Sequence, residues 1–148
     1  DWPPCMRKII ADLANGVNVN HFGRLFLASI SAKLALPEES CIGFFRGAPD
    51  FSESTTTYQV NHVYNGEYTP ASCGKLKINH NCPVLPGDDR LCDISWMDHP
   101  LKYIRATQRW KAKNQQAQVN IRKDDTPLDG ENSESNDAKE SVKNLTSK

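Results

Sequence analysis

The chain has 148 residues, and its 18 Lys and Arg residues balance its 18 Asp and Glu residues. Its apolar runs, such as LFLASI and CIGFF, are much shorter than the ~20 residues of a membrane span, so we expect one intracellular domain with no membrane association. Zero net charge does not exclude nucleic-acid binding, because such binding depends on whether the basic residues share one face.

Four amphipathic helices are predicted from apolar residues that recur every three or four positions, a pattern that places them on one helix face. The first follows Pro3-Pro4 and ends near Gly16, because proline favours the start of a helix and glycine its end. The others begin, in chain order, around Asn18 or Asn20, at Pro37 and at His99-Pro100. Their apolar residues are Met6, Ile9, Ile10 and Leu13; Phe22, Leu25, Phe26 and Ile30; Cys41, Phe44 and Phe45; and Leu101 and Ile104, with an extension to Trp110 left open.

Two segments lack this pattern. Residues 48–92 are rich in Gly, Pro, Asn and Ser, and we expect irregular structure there with at most a short strand pair. Residues 114–148 are dominated by Asp, Glu, Ser, Asn and Lys, which bury too little apolar surface to offset the entropy of chain ordering. The predicted architecture is mainly α-helical, with a loop-rich middle and a small β element in a domain of residues 1–113, followed by a disordered tail. Because the chain opens at Asp1 rather than Met, we expect a piece of a longer protein or complex subunit.

Four of the five cysteines, Cys5, Cys73, Cys82 and Cys92, are candidate ligands of one metal centre. Thiolates suit both zinc and iron–sulfur clusters, and the sequence does not separate the two. The chain has no Cys-x-x-Cys pair, so neither zinc-ribbon spacing nor a thioredoxin-type redox pair is present. The odd number of cysteines favours metal ligation in a reducing compartment over a secreted disulfide scaffold. Cys41 falls on the apolar face of the third helix, which is typical of a small buried hydrophobic residue.

Seven segments, taken in order, resemble the C-terminal iron–sulfur domain of the large subunit of archaeal and eukaryotic DNA primase. They are DWPPCM, NHFGR, FFRGAPDF, TTTYQVNHVY, YTPASC, NCP and LCDISWMDHPLKYI, and they fall within residues 1–105. The spacing of the last two cysteines and the HPLKYI segment are closer to the archaeal branch. The resemblance implies a helical domain in which Cys5, Cys73, Cys82 and Cys92 bind a [4Fe-4S] cluster, in the cytoplasm or nucleoid of an archaeal-type cell.

The resemblance further implies a noncatalytic part of a primase. Such a domain binds DNA template, RNA primer and the initiating nucleoside triphosphate, while a catalytic small subunit, or a fused catalytic domain as in a mobile-element primase–polymerase, joins nucleotides. No paired-carboxylate motif for two catalytic metal ions is evident in the sequence, and Asp88-Asp89 lies in a Pro-Gly turn, which favours a turn role. Two alternatives are an iron–sulfur redox or electron-transfer module and a zinc-stabilised protein-interaction domain.

Four residues are candidates for contact with nucleotide or nucleic acid. His21 and Arg24 are three positions apart and would project from one side of the second helix, and their counterparts in the family hold the triphosphate. Tyr58 and His62 are four apart, which places both on one side of a helix or a strand, where tyrosine can stack on a base and histidine can donate to phosphate. Without the resemblance, other roles are open. His21 could cap its own helix, Arg24 could be a solvated surface charge, and Tyr58 could be a half-buried packing residue.

Two further features bear on phosphate binding. Asn20 stands where relatives are often basic, which predicts a weaker phosphate grip or one completed by another residue. Lys102, Arg105 and Arg109 form a basic stripe on the fourth helix that could follow a nucleic-acid backbone, although a stripe of this kind is more often a solvated face.

Overall fold

Seven α-helices form the regular structure of residues 1–124, the part of the chain that the computed structural model describes. In chain order they are α1 (Pro4–Ala14), α2 (His21–Lys33), α3 (Glu38–Phe44), α4 (Glu53–Asn65), α5 (Cys73–Ile78), α6 (Arg90–Asp93) and α7 (Pro100–Asp124). One compact unit comprises Asp1–Gln108, and a second unit begins at Arg109, within α7. None of these seven helices is long and apolar enough to cross a bilayer.

Local sequence sets the ends of the helices, as predicted for α1, α2 and α3. Pro4 is the first residue of α1, and Gly16 takes up a left-handed conformation with φ of 75° just beyond its end. Asn20 precedes α2, and its side-chain oxygen accepts a hydrogen bond from the backbone N–H of Gly23 at 2.8 Å. Such caps satisfy backbone donors that a helix leaves without partners, a contribution of about 1 kcal/mol each.

The core of the first unit forms around α2. The run from Phe26 to Ser31 is buried along this helix, and α1, α3 and α4 all pack against it. Each apolar side chain removed from water in this way contributes roughly 1.5–3 kcal/mol. The largest fully buried apolar side chains are Met6, Leu13, Phe26, Leu27, Ile30 and Leu76. The packed set comes from α1, α2 and α5, so this core joins the start of the chain to the cysteine-bearing segment.

Cys41 is a buried hydrophobic residue of α3, which confirms the prediction from its position on the apolar face. Burial raises the pKa of the Cys41 thiol, and it also raises the pKa of Tyr64, whose hydroxyl donates to the carbonyl oxygen of Leu36 at 2.8 Å. Both groups therefore stay protonated at neutral pH and act as packing elements between α3 and α4.

The middle of the chain is more helical than predicted, although the mainly α-helical class is confirmed. No strand occurs in residues 1–124, so the expected small β element is not found there, and the segment TTTYQVNHVY lies in α4. The β-branched threonines of this segment weaken helix propensity, but the burial of Val60 and Val63 outweighs that local preference. Ser52 also caps α4 by accepting a hydrogen bond from the N–H of Thr55.

The last helix is longer than predicted. α7 continues to Asp124, so residues 114–124 are helical instead of belonging to the disordered tail that the composition indicated. The sequence supports this difference, since alanine, glutamine, lysine and arginine are good helix formers and the stretch contains no Gly or Pro. The remainder of the predicted tail, residues 125–148, lies outside the described residues.

Gly47 allows a close approach between the loop after α3 and the end of α1. A Cβ atom there would lie 2.5 Å from the carbonyl oxygen of Leu13 and 3.1 Å from the Cα of Ala14, and such backbone atoms cannot easily move aside. We therefore expect Gly47→Ala to lower the free energy of unfolding by about 1–3 kcal/mol in urea denaturation.

Gly43 provides the matched control. A Cβ atom at Gly43, within α3, would meet nothing within 4 Å, so Gly43→Ala should raise the free energy of unfolding by up to ~1 kcal/mol through its better helix propensity. Equal stabilities for the two variants would contradict the close approach at Gly47.

Candidate nucleic-acid interface and metal centre

Three of the four candidate cysteine ligands lie in helices, and the fourth lies in the loop between α5 and α6. Cys5 lies in the first turn of α1, Cys73 begins α5, Cys82 follows α5 and Cys92 lies in α6. Cys5 is buried, and the other three are partly exposed. None of the five cysteines is in a disulfide.

Contacts with the start of α7 and the residues before it bring two of these cysteines back to the body of the domain. The backbone N–H of Cys73 donates to the carbonyl oxygen of Asp98 at 3.0 Å. The Asp89 carboxylate caps α6 by accepting from the N–H of Cys92 at 3.2 Å, and it also accepts from the hydroxyl of Tyr103 at 3.0 Å. Burial and this hydrogen bond raise the pKa of Tyr103 to about 12. The turn role predicted for Asp88-Asp89 is thus confirmed, since Asp88 accepts from the N–H of Leu85 at 3.0 Å.

The four candidate thiols influence one another's ionisation. Burial, and to a smaller extent the charges that Cys73, Cys82 and Cys92 would carry as thiolates, together raise the pKa of Cys5 to about 12. Burial, Asp89, Cys73 and Cys82 raise the pKa of Cys92 to about 11. The four predicted ligands thus lie within electrostatic range of one another, while Cys41 lies elsewhere in the core. In residues 1–124 no three His, Cys, Asp or Glu side chains converge as closely as the ligands of a single metal ion.

An amide network joins the cysteine-bearing loop to the start of α2. Asn20 donates through its side-chain nitrogen to the carbonyl oxygen of Asn79 at 3.1 Å, and Asn81 donates to the side-chain oxygen of Asn20 at 3.1 Å. The loop approaches so closely that a Cβ at Gly23 would lie 2.6 Å from the side-chain oxygen of Asn81. Asn20 is therefore both the cap of α2 and the residue that holds the loop before Cys82.

A groove of about 570 Å³ lies between α2 and α4 and contains all four residues predicted to contact nucleotide or nucleic acid. His21 and Arg24 reach it from α2, and Tyr58 and His62 reach it from α4. The two pairs were predicted from separate segments of the sequence, and the packing of α2 against α4 brings them to one site. Further polar lining comes from Asn18, Asn20, Asp50, Ser52, Thr55, Thr56 and Gln59.

Arg24 is held in place by three hydrogen bonds and is not a solvated charge. Its Nε donates to the carbonyl oxygen of Val19 at 2.7 Å, while the two terminal nitrogens donate to Asp50 and to Asn18, each at 3.0 Å. A guanidinium has five N–H donors, so one remains on each terminal nitrogen. The side chain is 24% exposed, which leaves it accessible from the groove. Because Asn20 caps α2, the exposed His21 does not serve as the cap.

An aromatic row lines the α4 side of the groove. The rings of Tyr58 and His62 are stacked with their centroids 6.4 Å apart, and the ring of Tyr68 meets His62 edge-on at 5.8 Å. Tyr58 is 73% exposed, so its half-buried packing role is excluded. A Cβ at Gly66 would lie 2.8 Å from the Tyr68 ring, so the glycine after α4 lets Tyr68 fold back onto the row.

Sequence reasoning missed Tyr68 and Asp50 as parts of this site. Both lie in segments that carried the family resemblance, YTPASC and FFRGAPDF, and that membership was the available signal. Their position in the groove depends on the turn after α4 and on the path of the chain between α3 and α4, which periodicity does not report. Of the predicted basic stripe, Lys102 is paired with Asp98 at 2.8 Å, a local contact within one helical turn.

The fold and the site define a helical domain that gathers four thiols and builds a cationic and aromatic groove. Over residues 1–124 the sequence matches the family described as the C-terminal domain of the large subunit of eukaryotic and archaeal DNA primase, and the chain belongs to this family. This match confirms the family membership that the seven segments indicated.

Three archaeal relatives, each named DNA primase large subunit PriL, are similar to this chain. The protein of Thermoplasma acidophilum is 45% identical over 112 residues, which are 73% of this chain and 32% of that protein. The protein of Thermoplasma volcanium is 43% identical over 112 residues, with coverages of 73% and 34%, and that of Methanocella arvoryzae is 39% identical over 119 residues, with 78% and 31%. The chain thus spans about a third of the length of these curated relatives. No solved structure gives a significant match to the chain.

The raised thiol pKa values predict an alkaline loss of stability in reduced, metal-free protein. The folded chain keeps protons on Cys5 and Cys92 at pH values where the unfolded chain, with ordinary thiols near 9.0, releases them. This stabilisation is complete below pH 9 and is lost as the pH rises towards the folded values of about 11 and 12. Denaturation at pH 8, 9 and 10 should show it, with Cys5 contributing at most about 1.4 kcal/mol per pH unit. Cys5→Ala should reduce the slope, and a free energy of unfolding that does not change across this range would contradict the prediction.

Proposed function

We propose that this chain is the part of a DNA primase large subunit that binds the initiating nucleoside triphosphate and the DNA template in the groove between α2 and α4. The observation that carries the proposal is the meeting of His21 and Arg24 with Tyr58 and His62 in one groove of about 570 Å³. A cavity of this size accommodates a nucleotide-sized ligand. Membership of the primase large-subunit family supplies the class of ligand.

The α2 side of the groove suits the triphosphate. Arg24 keeps one N–H on each terminal nitrogen for a phosphate oxygen, and charge-assisted bonds of this kind contribute ~1.5–3 kcal/mol each. His21 is exposed in the first turn of α2, where backbone N–H groups and the helix dipole also favour an anion. Asp50 opposes binding, since its carboxylate occupies part of the guanidinium that a phosphate would use.

The α4 side of the groove suits a base. The exposed Tyr58 ring offers an aromatic face, and base–aromatic stacking contributes ~1–3 kcal/mol per base without strong sequence preference. His62 lies between Tyr58 and Tyr68, which fixes the ring position through contacts on two sides. A bound nucleotide would therefore lie with its phosphates against α2 and its base against α4. This orientation suits an initiating nucleotide that pairs with the template.

We further propose that Cys5, Cys73, Cys82 and Cys92 bind a [4Fe-4S] cluster. Support comes from the donor set, which is four thiols that interact electrostatically, and from their partial exposure apart from Cys5. The four ligands of such a cluster bind separate irons, so their sulfur atoms need not converge on one point. Bound to the thiolates, the cluster would join α1 to the segment that follows α4. The amide network at Asn20 connects that segment to the groove.

Catalysis and partners follow from the same proposal. Nucleotide transfer would take place on a catalytic small subunit or on a fused catalytic domain, while this chain holds the 5′ end of the primer and the template. RNA primer, template DNA and nucleoside triphosphate are therefore the proposed ligands, in the cytoplasm or nucleoid of an archaeal-type cell.

The proposed role of His21 and Arg24 predicts a loss of preference for triphosphate ends. The double variant His21→Ala with Arg24→Ala should bind a 5′-triphosphorylated primer–template about tenfold or more weakly, since at least one charge-assisted contact is removed. Affinity for the same duplex with a 5′-hydroxyl should change little. Fluorescence anisotropy with both duplexes measures the ratio of the affinity for the triphosphate end to the affinity for the hydroxyl end.

Two further variants make this test specific. Arg7→Ala removes an arginine from outside the groove and should leave the ratio of the two affinities unchanged. Asp50→Asn should strengthen triphosphate binding by roughly fivefold at low salt, because it removes a like charge worth about 1 kcal/mol at the phosphate end. An unchanged ratio in the His21 and Arg24 double variant would show that these residues do not hold the triphosphate.

The proposed cluster predicts a coloured, iron-containing protein. Anaerobic preparation should give broad brown visible absorption and about four irons per chain. Cys82→Ser should reduce both the absorption and the iron content, whereas Cys41→Ser should retain them, because Cys41 lies in the α3 core apart from the other thiols. Colourless protein that contains one zinc per chain would instead identify a zinc-stabilised domain.

A further inference from the structure

The part of α7 in the second unit carries an excess of positive charge that the balanced composition conceals. From Arg109 to Lys123 the sequence has five Lys and Arg residues and no Asp or Glu. Residues 1–123 contain 15 basic against 11 acidic residues, and residues 124–148 contain 3 against 7. The chain is therefore divided into a basic body, whose last helix is strongly basic, and an acidic terminal segment.

An exposed tryptophan lies among these cations. Residues 109–121 are all exposed along α7, and Trp110 is 65% exposed. Arg109 and Lys113 are four positions apart and Trp110 and Lys113 are three apart, so the three side chains share one region of the helix surface. Arg109 and Lys113 are about 6 Å apart along the helix axis. Within the described part of the chain, neither of these two cations forms a salt bridge, so both charges are available to an external anion.

We propose that Arg109, Trp110 and Lys113 form a second binding surface, for single-stranded nucleic acid, in addition to the groove between α2 and α4. Two cations at this spacing can contact phosphates of one strand, and the indole ring can stack on a base that has no pairing partner. Charge alone would suit a duplex or an acidic protein equally well. The large exposed aromatic face beside the cations favours single strands, because bases in a duplex are already stacked on one another.

The test measures binding of the intact chain to a fluorescein-labelled oligothymidylate with a 5′-hydroxyl end, by anisotropy over about 50–200 mM salt. Absence of a triphosphate keeps the result independent of the proposed role of His21 and Arg24. Arg109→Gln with Lys113→Gln should lower the magnitude of the log–log salt slope by about 1.4, which is the value for two single-strand phosphate contacts. Trp110→Ala should weaken binding to the oligothymidylate by about fivefold or more, with a smaller effect on a duplex of equal length.

Matched variants distinguish binding at this surface from nonspecific effects of positive charge and of exposed apolar side chains. Lys8→Gln with Lys33→Gln removes two exposed charges elsewhere and should leave the salt slope unchanged, while Arg109→Lys with Lys113→Arg should retain it. Ile121→Ala removes another exposed apolar side chain of α7 and should leave affinity unchanged. Because all these positions are exposed, circular dichroism should show the same helix content in every variant.

Three outcomes would overturn the proposal. The first is a salt slope in the Arg109 and Lys113 double variant equal to that of the Lys8 and Lys33 control. The second is an equal effect of Trp110→Ala on single strands and duplexes. The third is a slope change that appears only after residues 125–148 are removed, which would show that the acidic terminal segment of the intact chain occupies the surface.

Discussion

The fold depends on the contacts that hold one segment, Lys77 to Trp96, in which no side chain is fully removed from water. From Lys77 to Trp96, within the described chain, no residue is buried, and the partly buried Cys82 packs against the core, so hydrophobic packing contributes little to the position of this segment. Its position is set at its ends by Leu76 and Met97, which are buried, and between them by polar contacts. Such contacts contribute only about 1 kcal/mol each, which is small against the entropy of ordering twenty residues. Cys82 and Cys92 lie within this segment, where a covalent or metal constraint would add to the polar contacts that hold it.

The groove obtains its shape from the same arrangement. Its α2 side begins at Asn20, which is bonded to the backbone and side chain of the cysteine-bearing loop, and its α4 side is packed onto α2 through Val60 and Val63. A ligand in the groove would therefore contact two helices whose separation is fixed by the core. Movement of the loop would reach the first turn of α2 through Asn20, while the aromatic row on α4 would remain in place. The two sides of the groove thus differ in how closely they are tied to the cysteines.

Much of this arrangement could be predicted from the sequence, and the parts that could not have physical reasons. Helix starts at Pro4, Asn20 and Pro37 follow from local backbone chemistry, so they were predictable. The helix α4 was not, because Thr55, Thr56 and Thr57 lower helix propensity and the stabilising contacts of α4 come from α2 and α3. The end of α7 does not follow from composition, because a polar composition is typical of disorder even where the residues are individually good helix formers.

The candidate site shows the same division. His21 with Arg24, and Tyr58 with His62, could be paired by their spacing, since three or four residues bring side chains to one side of a helix. Asp50 and Tyr68 could not be found in that way, because they reach the groove through turns whose path depends on the tertiary fold. Likewise, the hydrogen bonds of Arg24 could not be predicted from spacing, since its partners Val19, Asn18 and Asp50 lie in loops.

The contact between Arg24 and Asp50 makes entry of an anion into the groove an exchange of partners. An incoming ligand must displace or share a carboxylate that is tethered to the same chain and is therefore always present at high local concentration. A monovalent anion such as chloride gains little from this exchange, whereas a polyvalent one can replace the lost interaction and retain charge for further contacts. The Asp50 carboxylate would thus favour polyvalent anions over monovalent ones at Arg24 and would reduce the binding of small salt ions there.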